Sequence, residues 1–274
     1  MRLLILGSLF DTMANMVGEH VRQRHGPTAV VHRTLEDLAA AQWCHRLGWA
    51  GVKTDLTFAD GTSFAGFAPT MILNRLDYDP ALLFTRMKVV DRDYARTEFF
   101  ALLLSWLSGL GRIVVNQVAP SGLSGPMLRP WQWIMMARDA GLPAYPSMAG
   151  TSARRSPAPP DGIPRPELMP ATHAPALALL GYDRPLTHGP RPAECRDLLV
   201  LEGRVIDRAG QPVDPALAAA SIRLARAVHA EILTIELARL DGDPTWRFVG
   251  ADPRPRLLDG AWHEALIAWM EERA

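Results

Sequence analysis

The sequence has little lysine, little cysteine, no excess charge of either sign and no long hydrophobic run. Its 29 basic and 29 acidic residues balance, so no surplus of positive charge is present to hold a nucleic-acid backbone. The longest apolar stretch, residues 99–107, contains a serine and is shorter than the roughly 20 residues that cross a bilayer. We therefore expect neither a nucleic-acid partner nor a membrane partner.

The cysteines and the amino terminus indicate the cellular compartment of the protein. Cys44 and Cys195 are too few for a disulfide scaffold and are typical of a reducing environment. Residues 1–12 lack the long apolar core and the small-residue cleavage site of a signal peptide. Both features predict a cytoplasmic protein. The apolar fraction of 48% and the charged fraction of 21% are those of an ordinary globular protein.

Several common catalytic motifs are missing. Only Lys53 and Lys88 are lysines, so a Schiff-base or general-base lysine could come from two positions alone. Gly7, after the first apolar run, stands alone where a dinucleotide-binding loop needs three glycines, and no Walker A loop is present. The histidines and cysteines lack zinc-site spacing, and Ser124 does not lie in a G-x-S-x-G elbow.

The apolar patterns of the first half predict alternating strands and helices, which favours a parallel, doubly wound sheet. Asp11 and Thr34 are predicted to cap the first two helices. The pair Asp60-Gly61 predicts a hairpin within 56–64. Helix 91–110 is apolar on most faces and is predicted to lie between layers. The other elements are strands at 2–7, 28–32, 71–74 and 112–116 and helices at 12–25 and 35–41.

The second half begins with a loop at 118–130 and a helix near 131–140. Ten prolines between Pro157 and Pro192 exclude regular helix and central strand there. This segment is either a disordered linker or an extended arm on a partner or on the chain's own core. An α+β region follows, with a hairpin at Glu202-Gly203, helices at 215–229 and 258–273 and strands at 231–240 and 246–249. We expect four parts: 1–118, 119–150, 151–194 and 195–274.

Several short motifs follow one another in a characteristic order. They are 71–75 (MILNR), 114–116 (VVN), 140–146 (AGLPAYP), 225–228 (ARAV) and 246–253 (WRFVGADP). This order resembles the ATP-grasp superfamily, specifically the ribosomal-protein-modifying and glutathione-synthetase-like ligases. In that family an AGLPxPP-like segment leads into the nucleotide-binding core, and a W-x-F-x-E-V-N-P pattern closes it. The resemblance implies a pre-ATP-grasp-like, doubly wound amino-terminal domain followed by a reduced α+β ATP-grasp-like half.

The resemblance also implies a chemistry. Such ligases phosphorylate a carboxylate with ATP, and Mg²⁺ ions neutralise the phosphates. Glu236 corresponds to the family's first acidic metal ligand and Asp252 to its asparagine, whereas Gly250 stands where the family has a glutamate. Arg129 lies near the first of two phosphate-binding lysines, and the second has no counterpart. A nucleotide subdomain should follow Pro146, but the shorter proline-rich segment stands there.

Two places are candidate substrate sites. Asn74 and Arg75 follow a strand at the edge where ligands of parallel sheets bind, although they could simply cap that strand. Asp77, Tyr78 and Asp79 share that mouth or form a plain turn. Ser121 and Ser124 belong to a loop that either forms an anion nest from its backbone amides or merely bends the chain.

Three interpretations of function remain open. The first is a degenerate ATP-grasp-like protein that recognises a small molecule, a peptide or an enzyme partner, with the proline-rich segment as a further protein-binding element. The second is an active ATP- and Mg²⁺-dependent carboxylate–amine ligase with Glu236 and Asp252 on the metal and arginines on the phosphates. The third is an α/β enzyme unrelated to ATP. ATP and Mg²⁺ are expected as cofactors only where the ancestral activity is kept.

Overall fold

The computed structural model describes residues 1–49, 51–77, 83–119, 121–145, 148–150, 186–188, 192–255 and 260–273. Most of the proline-rich segment lies outside these residues, as do Tyr78 and Asp79. The order or disorder of that segment therefore stays a prediction. In the part of the chain that the structure describes, no helix has both the length and the apolarity needed to span a bilayer.

The first sheet is four-stranded and parallel, as the sequence predicts. Its order is β2-β1-β5-β6, so the first strand lies in the middle. All four residues of β1 are buried, because strands of a parallel sheet are covered on both faces. The strands are β1 (Leu3–Leu6), β2 (Val30–Arg33), β5 (Met71–Asn74) and β6 (Val114–Val115).

Helices cover both faces of this sheet, and the side chains of β1 alternate between them. Leu3 and Ile5 belong to a core with α1 (Thr12–His25). Leu4 and Leu6 belong to a core with α2 (Leu35–Ala40) and with α4 (Val89–Leu110). The predicted caps are confirmed: Asp11 accepts from the amide of Ala14, and Thr34 forms a capping box with Asp37.

The prediction that the long helix lies between layers is wrong. One face of α4 is buried through Phe99, Leu103, Trp106 and Leu107, but Tyr94 on another face is exposed. The helix is apolar on most faces, but this pattern does not show which of those faces pack against another element. α4 is therefore a surface helix that covers one side of the first sheet.

A hairpin of two seven-residue strands, β3 (Gln42–Gly48) and β4 (Gly51–Thr57), was not predicted. It packs against α4, where Nε2 of His45 lies 2.8 Å from Oγ of Ser105. The hairpin predicted around Asp60-Gly61 amounts to one isolated bridge between Thr57 and Ser63, followed by the short helix α3 (Phe64–Phe67).

The second sheet is antiparallel, in the order β10-β9-β11-β12. One face packs on α5 (Pro130–Asp139) and α6 (Pro215–Ala227) in a separate core. The predicted turn at Glu202-Gly203 joins two of its strands. The strands are β9 (Glu194–Leu201), β10 (Arg204–Asp207), β11 (Ile232–Arg239) and β12 (Arg247–Asp252); a small separate pair is β7 (Met148–Gly150) with β8 (Leu186–His188).

The two sheets share a buried core. Leu199 and Ile232, on the second face of the antiparallel sheet, pack in one cluster with Leu3 and Ile5 of the parallel sheet. The helix α7 (Gly260–Arg273) belongs to the same cluster through Trp262, Leu266 and Met270. This core places the end of β12 beside the carboxyl ends of β1 and β5. The predicted domain boundaries at 118 and 194 stay predictions.

Candidate ligand-binding cleft

A cleft of about 670 Å³ lies where the two sheets meet. One side is formed by residues that follow the parallel strands: Gly7 after β1, Thr34 after β2 and Arg75 after β5. The carboxyl ends of parallel strands are the usual ligand-binding edge of such sheets. Asp252 and Arg254, at the end of β12, line the other side.

Gly7 allows β1 and β5 to approach closely at the floor of this cleft. A Cβ atom on Gly7 would lie 3.2 Å from both the Cβ and the backbone oxygen of Arg75. A side chain at this position would therefore require the two strand ends to shift by a few tenths of an ångström.

Arg75 and Asp11 form a largely buried ion pair in the cleft wall. Nε of Arg75 donates to Oδ2 of Asp11 over 2.5 Å, and the side chain of Arg75 is 6% exposed. Oδ1 of Asp11 accepts from the amide of Ala14 at the start of α1. Asp11 thus caps the helix and neutralises the arginine. Among the described residues, no hydrogen-bond partner is seen for the terminal nitrogens of Arg75, which lines the cleft.

Arg254, on the side of the cleft formed by the end of β12, forms an ion pair with Asp77 on the side formed by the parallel sheet. Its guanidinium lies 3.2 Å from Oδ1 of Asp77, and its backbone amide donates to Oδ1 of Asp252 over 2.7 Å. Asp77 thus lies at the pocket mouth, as the sequence suggested. One oxygen of the proposed metal ligand Asp252 is engaged in the turn that carries Arg254.

Asn74 and Ser124 lie beneath the cleft and do not line it. Both are buried. Nδ2 of Asn74 donates to the backbone oxygens of Asn116 (3.2 Å) and Leu123 (2.6 Å). Oγ of Ser124 donates to the backbone oxygen of Leu76 over 2.9 Å. Both side chains fasten the loop to the strand end, and their contact with a substrate stays a prediction.

Ser121 is exposed, and its Oγ accepts from the amide of Met127. The amide of Gly122 donates to the backbone oxygen of Ala119, so this amide already has a partner. These contacts favour the interpretation of the loop as a bend, while ligand contact through Ser121 stays a prediction.

Glu236 and Asp252 lie on the same face of the second sheet. Asp252 pairs across the strands with Thr234, and Glu236 pairs with Gly250. A Cβ atom on Gly250 would lie 3.6 Å from Oε2 of Glu236, which is an ordinary contact. Gly250, two positions before Asp252, therefore faces Glu236 directly and contributes no side-chain oxygen.

The surroundings of Glu236 are acidic. Asp197 is its cross-strand neighbour on β9. Burial raises the pKa of the nearby Cys195 thiol, and the carboxylates of Asp197, Glu236 and Glu194 raise it further. In the described part of the chain, no three side chains of the His, Cys, Asp and Glu types converge on one point.

The predicted phosphate-binding side chain lies elsewhere. Arg129 is exposed at the start of α5, where its backbone amide donates to Oε1 of Gln132. Lys53 lies exposed on β4, and Lys88 is exposed just before α4. None of the three lines the described cleft.

Leu9, Phe10 and Arg254 are among the cleft residues that the sequence did not indicate. Leu9 and Phe10 line the cleft, and Phe10 is 94% exposed. Arg254, which follows the Asp-Pro pair, was not singled out. The position of Leu9 and Phe10 between the first strand and the cap of α1 could have indicated them, because that loop lies at the ligand-binding edge.

No protein-family model and no curated protein matches the chain. Solved structures of ATP-grasp ligases match it over nearly its whole length. PsnB complexed with a minimal precursor, Mg and ADP has a TM-score of 0.65 and 16% identity, over 99% of this chain and 97% of that chain. The macrocyclase MdnC from Microcystis aeruginosa MRC, bound with the precursor peptide MdnA, has a TM-score of 0.63 and 10% identity, over 99% and 98%.

A further neighbour is a RiPP-associated ATP-grasp ligase from Chryseobacterium gregarium in complex with ADP and a leader and core peptide. Its TM-score is 0.57 at 11% identity, over 100% of this chain and 92% of that chain. The chain therefore has the ATP-grasp fold, which confirms the resemblance seen in its motifs. Because the matches extend over most of each ligase, they give no support to the predicted shortening of the second half.

Proposed function

We propose that this chain is a degenerate ATP-grasp-like protein that binds a peptide in the cleft and does not turn over ATP as the ligases do. The observation that carries the proposal is the cross-strand pair of Glu236 and Gly250. The ATP-grasp pattern expects a carboxylate at position 250, and glycine supplies no side-chain oxygen there. Glu236 and Asp252 remain as donors, and one oxygen of Asp252 accepts from the amide of Arg254.

The positive charges also favour this proposal. A triphosphate needs several charge-assisted contacts, but Lys53, Lys88 and Arg129 do not line the described cleft. Arg75 and Arg254 do, and each is paired with an aspartate, Asp11 and Asp77 respectively. The described residues of the cleft therefore do not supply the unpaired positive charges that Mg–ATP would need.

A peptide suits the cleft in size and character. Its volume of about 670 Å³ lies in the range that holds several residues or a small molecule. Phe10 and Leu9 present apolar surface at the mouth, while Arg75 and Arg254 offer donors for carbonyl or carboxylate oxygens. The structural neighbours PsnB and MdnC are seen with precursor peptides. A small molecule or an enzyme partner is the alternative occupant.

The metal side is tested by restoring the missing carboxylate. Gly250→Glu places an oxygen donor opposite Glu236, and the space around the glycine admits a Cβ atom. Gly250→Gln is the matched control of the same shape without charge. In calorimetric titration with ATP in excess Mg²⁺, we expect no micromolar binding by the natural chain. Gly250→Glu should bind at least about tenfold more tightly than Gly250→Gln, which corresponds to about 1.4 kcal/mol.

The active-ligase alternative predicts a different result. Glu236 and Asp252 share one face of the sheet, and one or two carboxylates suffice for Mg²⁺ when phosphates complete its coordination. Micromolar binding of Mg–ATP by the natural chain, weakened by Glu236→Ala, would support this alternative and contradict our proposal.

Peptide binding is tested with a library of random peptides displayed on phage. Enrichment on the natural chain should be lost with Phe10→Ala and with Arg254→Ala, because both residues line the cleft. Arg138→Ala, an exposed arginine on α5 outside the cleft, should behave as the natural chain does. Equal enrichment on all four proteins, or none on any, would contradict a peptide site in the cleft.

A further inference from the structure

A second pocket, of about 430 Å³, lies away from the cleft. It is formed where the end of α6, the turn between β9 and β10 and the segments before β6 and β11 meet. Arg112 and Arg226 both line this pocket. In the described part of the chain, neither guanidinium makes a hydrogen bond or a close ion pair, and the charge of Arg112 attracts the carboxylate of Glu231 from a longer distance. Ala225, Ala230 and Ile222 form an apolar floor.

The two glutamates of the pocket share one arginine, Arg273. The guanidinium of Arg273 lies 3.3 Å from Oε2 of Glu202 and 2.7 Å from Oε1 of Glu231. The same side chain donates to the backbone oxygen of Arg112 over 2.6 Å. When Arg273 is counted with Arg112 and Arg226, three arginines face the carboxylates of Glu202 and Glu231. The pocket therefore carries a net positive charge.

Two residues of the pocket rim have left-handed backbone torsions. Glu202 has φ of 40° and His229 has φ of 55°, a region that favours glycine. Both line the second pocket. Glu202 and Gly203 form the two-residue hairpin turn between β9 and β10, and His229 is the left-handed residue that closes the end of α6. His229 follows the end of α6, and its amide donates to the backbone oxygen of Arg226, so the turn that holds it also positions this arginine.

We infer that this second pocket binds a small oxyanion, a phosphate or a carboxylate, between the side chains of Arg112 and Arg226. The planar guanidinium presents paired donors that match such groups, and it keeps its charge at all ordinary pH values. The apolar floor then accommodates the body of the ligand. This site shares no lining residue with the cleft and does not depend on the proposed peptide function.

The test is thermal unfolding of the full chain with inorganic phosphate in one series and succinate in another, at constant ionic strength. Saturable stabilisation at about millimolar ligand is expected in at least one series. Arg226→Ala and Arg112→Ala should each weaken the apparent affinity about tenfold, because a charge-assisted contact is lost. Both arginines are exposed, so the unliganded variants should melt as the natural chain does. Arg138→Ala, an exposed arginine elsewhere, is the matched control.

The phosphate and succinate series also identify the chemical class of the oxyanion that the pocket binds. Stabilisation by phosphate alone assigns the pocket to phosphate monoesters, stabilisation by succinate alone assigns it to carboxylates, and stabilisation by both supports a general oxyanion site. Absence of saturable stabilisation in both series overturns the inference. It is also overturned if Arg112→Ala and Arg226→Ala bind as tightly as Arg138→Ala, or if Arg254→Ala alone removes the effect, since the ion would then lie in the cleft.

Discussion

Nδ2 of Asn116 donates a 2.7 Å hydrogen bond to the backbone oxygen of Pro253, 137 residues away along the chain. The same nitrogen donates to the backbone oxygen of Ile232, and Oδ1 accepts from the amides of Glu231 and Ile232. The side-chain amide thus has partners on both its nitrogen and its oxygen. Asn116 ties the end of β6 to the start of β11 and to the turn that carries Asp252.

We expect Asn116→Ala to lower the free energy of unfolding by about 3 kcal/mol or more, because several buried backbone groups lose their partner at once. Gln117→Ala, at the exposed neighbouring position, should change it by less than about 0.5 kcal/mol. Urea unfolding followed by circular dichroism measures both values. Equal losses in the two variants would show that the contacts of Asn116 contribute little.

Local sequence patterns predict the elements that depend on residues close together in the chain, such as short apolar runs and helix caps. The run Leu3–Leu6 is apolar at every position and forms the central strand, and Asp11 and Thr34 cap helices through contacts three residues away. The β3–β4 hairpin escaped prediction because 42–48 mixes polar and apolar residues without a strong turn signal. Its position depends on packing against α4, which no local pattern encodes.

The cleft could be predicted only in part. Arg75 was indicated because it follows a strand at the ligand-binding edge of a parallel sheet. Its partner Asp11 lies 64 residues earlier, and Arg254 reaches Asp77 from the opposite end of the chain. Contacts over such separations depend on the packing of the two sheets. The same dependence places the side chain of Asn74 against the loop at Leu123, and its contact with a substrate stays a prediction.

Gly7→Ala should destabilise the fold by about 1–3 kcal/mol, because the new Cβ atom overpacks the contact with Arg75. Gly48→Ala is the matched control, since nothing lies within 4 Å of a Cβ atom at that position. Thermal and urea unfolding of both variants measure the difference. A Gly7→Ala protein as stable as Gly48→Ala would mean that the two strand ends can separate without cost.

The stability of the protein should fall at mildly acidic pH through His32. Burial lowers the pKa of this side chain, with a smaller opposing effect from the backbone of Gly7. The folded state therefore holds the proton less tightly than the unfolded state does, so stability is lost as pH falls from about 6.5 toward the lower folded pKa. His32→Asn should remove this part of the pH dependence of the unfolding free energy.

His25→Asn is the control for that pH series, because His25 is exposed at the end of α1. We expect its profile between pH 5 and 8 to follow that of the natural chain. If His32→Asn and the natural chain lost stability in parallel on acidification, another group would be responsible.

Asp11→Ala should cost far more than the loss of a helix cap. The substitution removes the cap of α1 and also leaves the buried guanidinium of Arg75 without its carboxylate. A lost cap costs about 1 kcal/mol, and breaking a buried ion pair from one side costs about 3–5 kcal/mol. Asp214→Ala removes the cap of α6 alone, because its oxygen accepts from the amides of Ala216 and Leu217 at an exposed site.

The comparison of these two variants separates capping from charge. Urea unfolding should show a loss of about 1 kcal/mol for Asp214→Ala and at least about three times as much for Asp11→Ala. Asp11→Asn should fall between them, since its side-chain oxygen can still accept from Ala14 while the charge on Arg75 stays uncompensated. Adding Arg75→Met to Asp11→Ala should recover part of the loss, because the unpaired buried cation is then gone. Equal losses for Asp11→Ala and Asp214→Ala would show that solvent in the cleft already compensates the guanidinium.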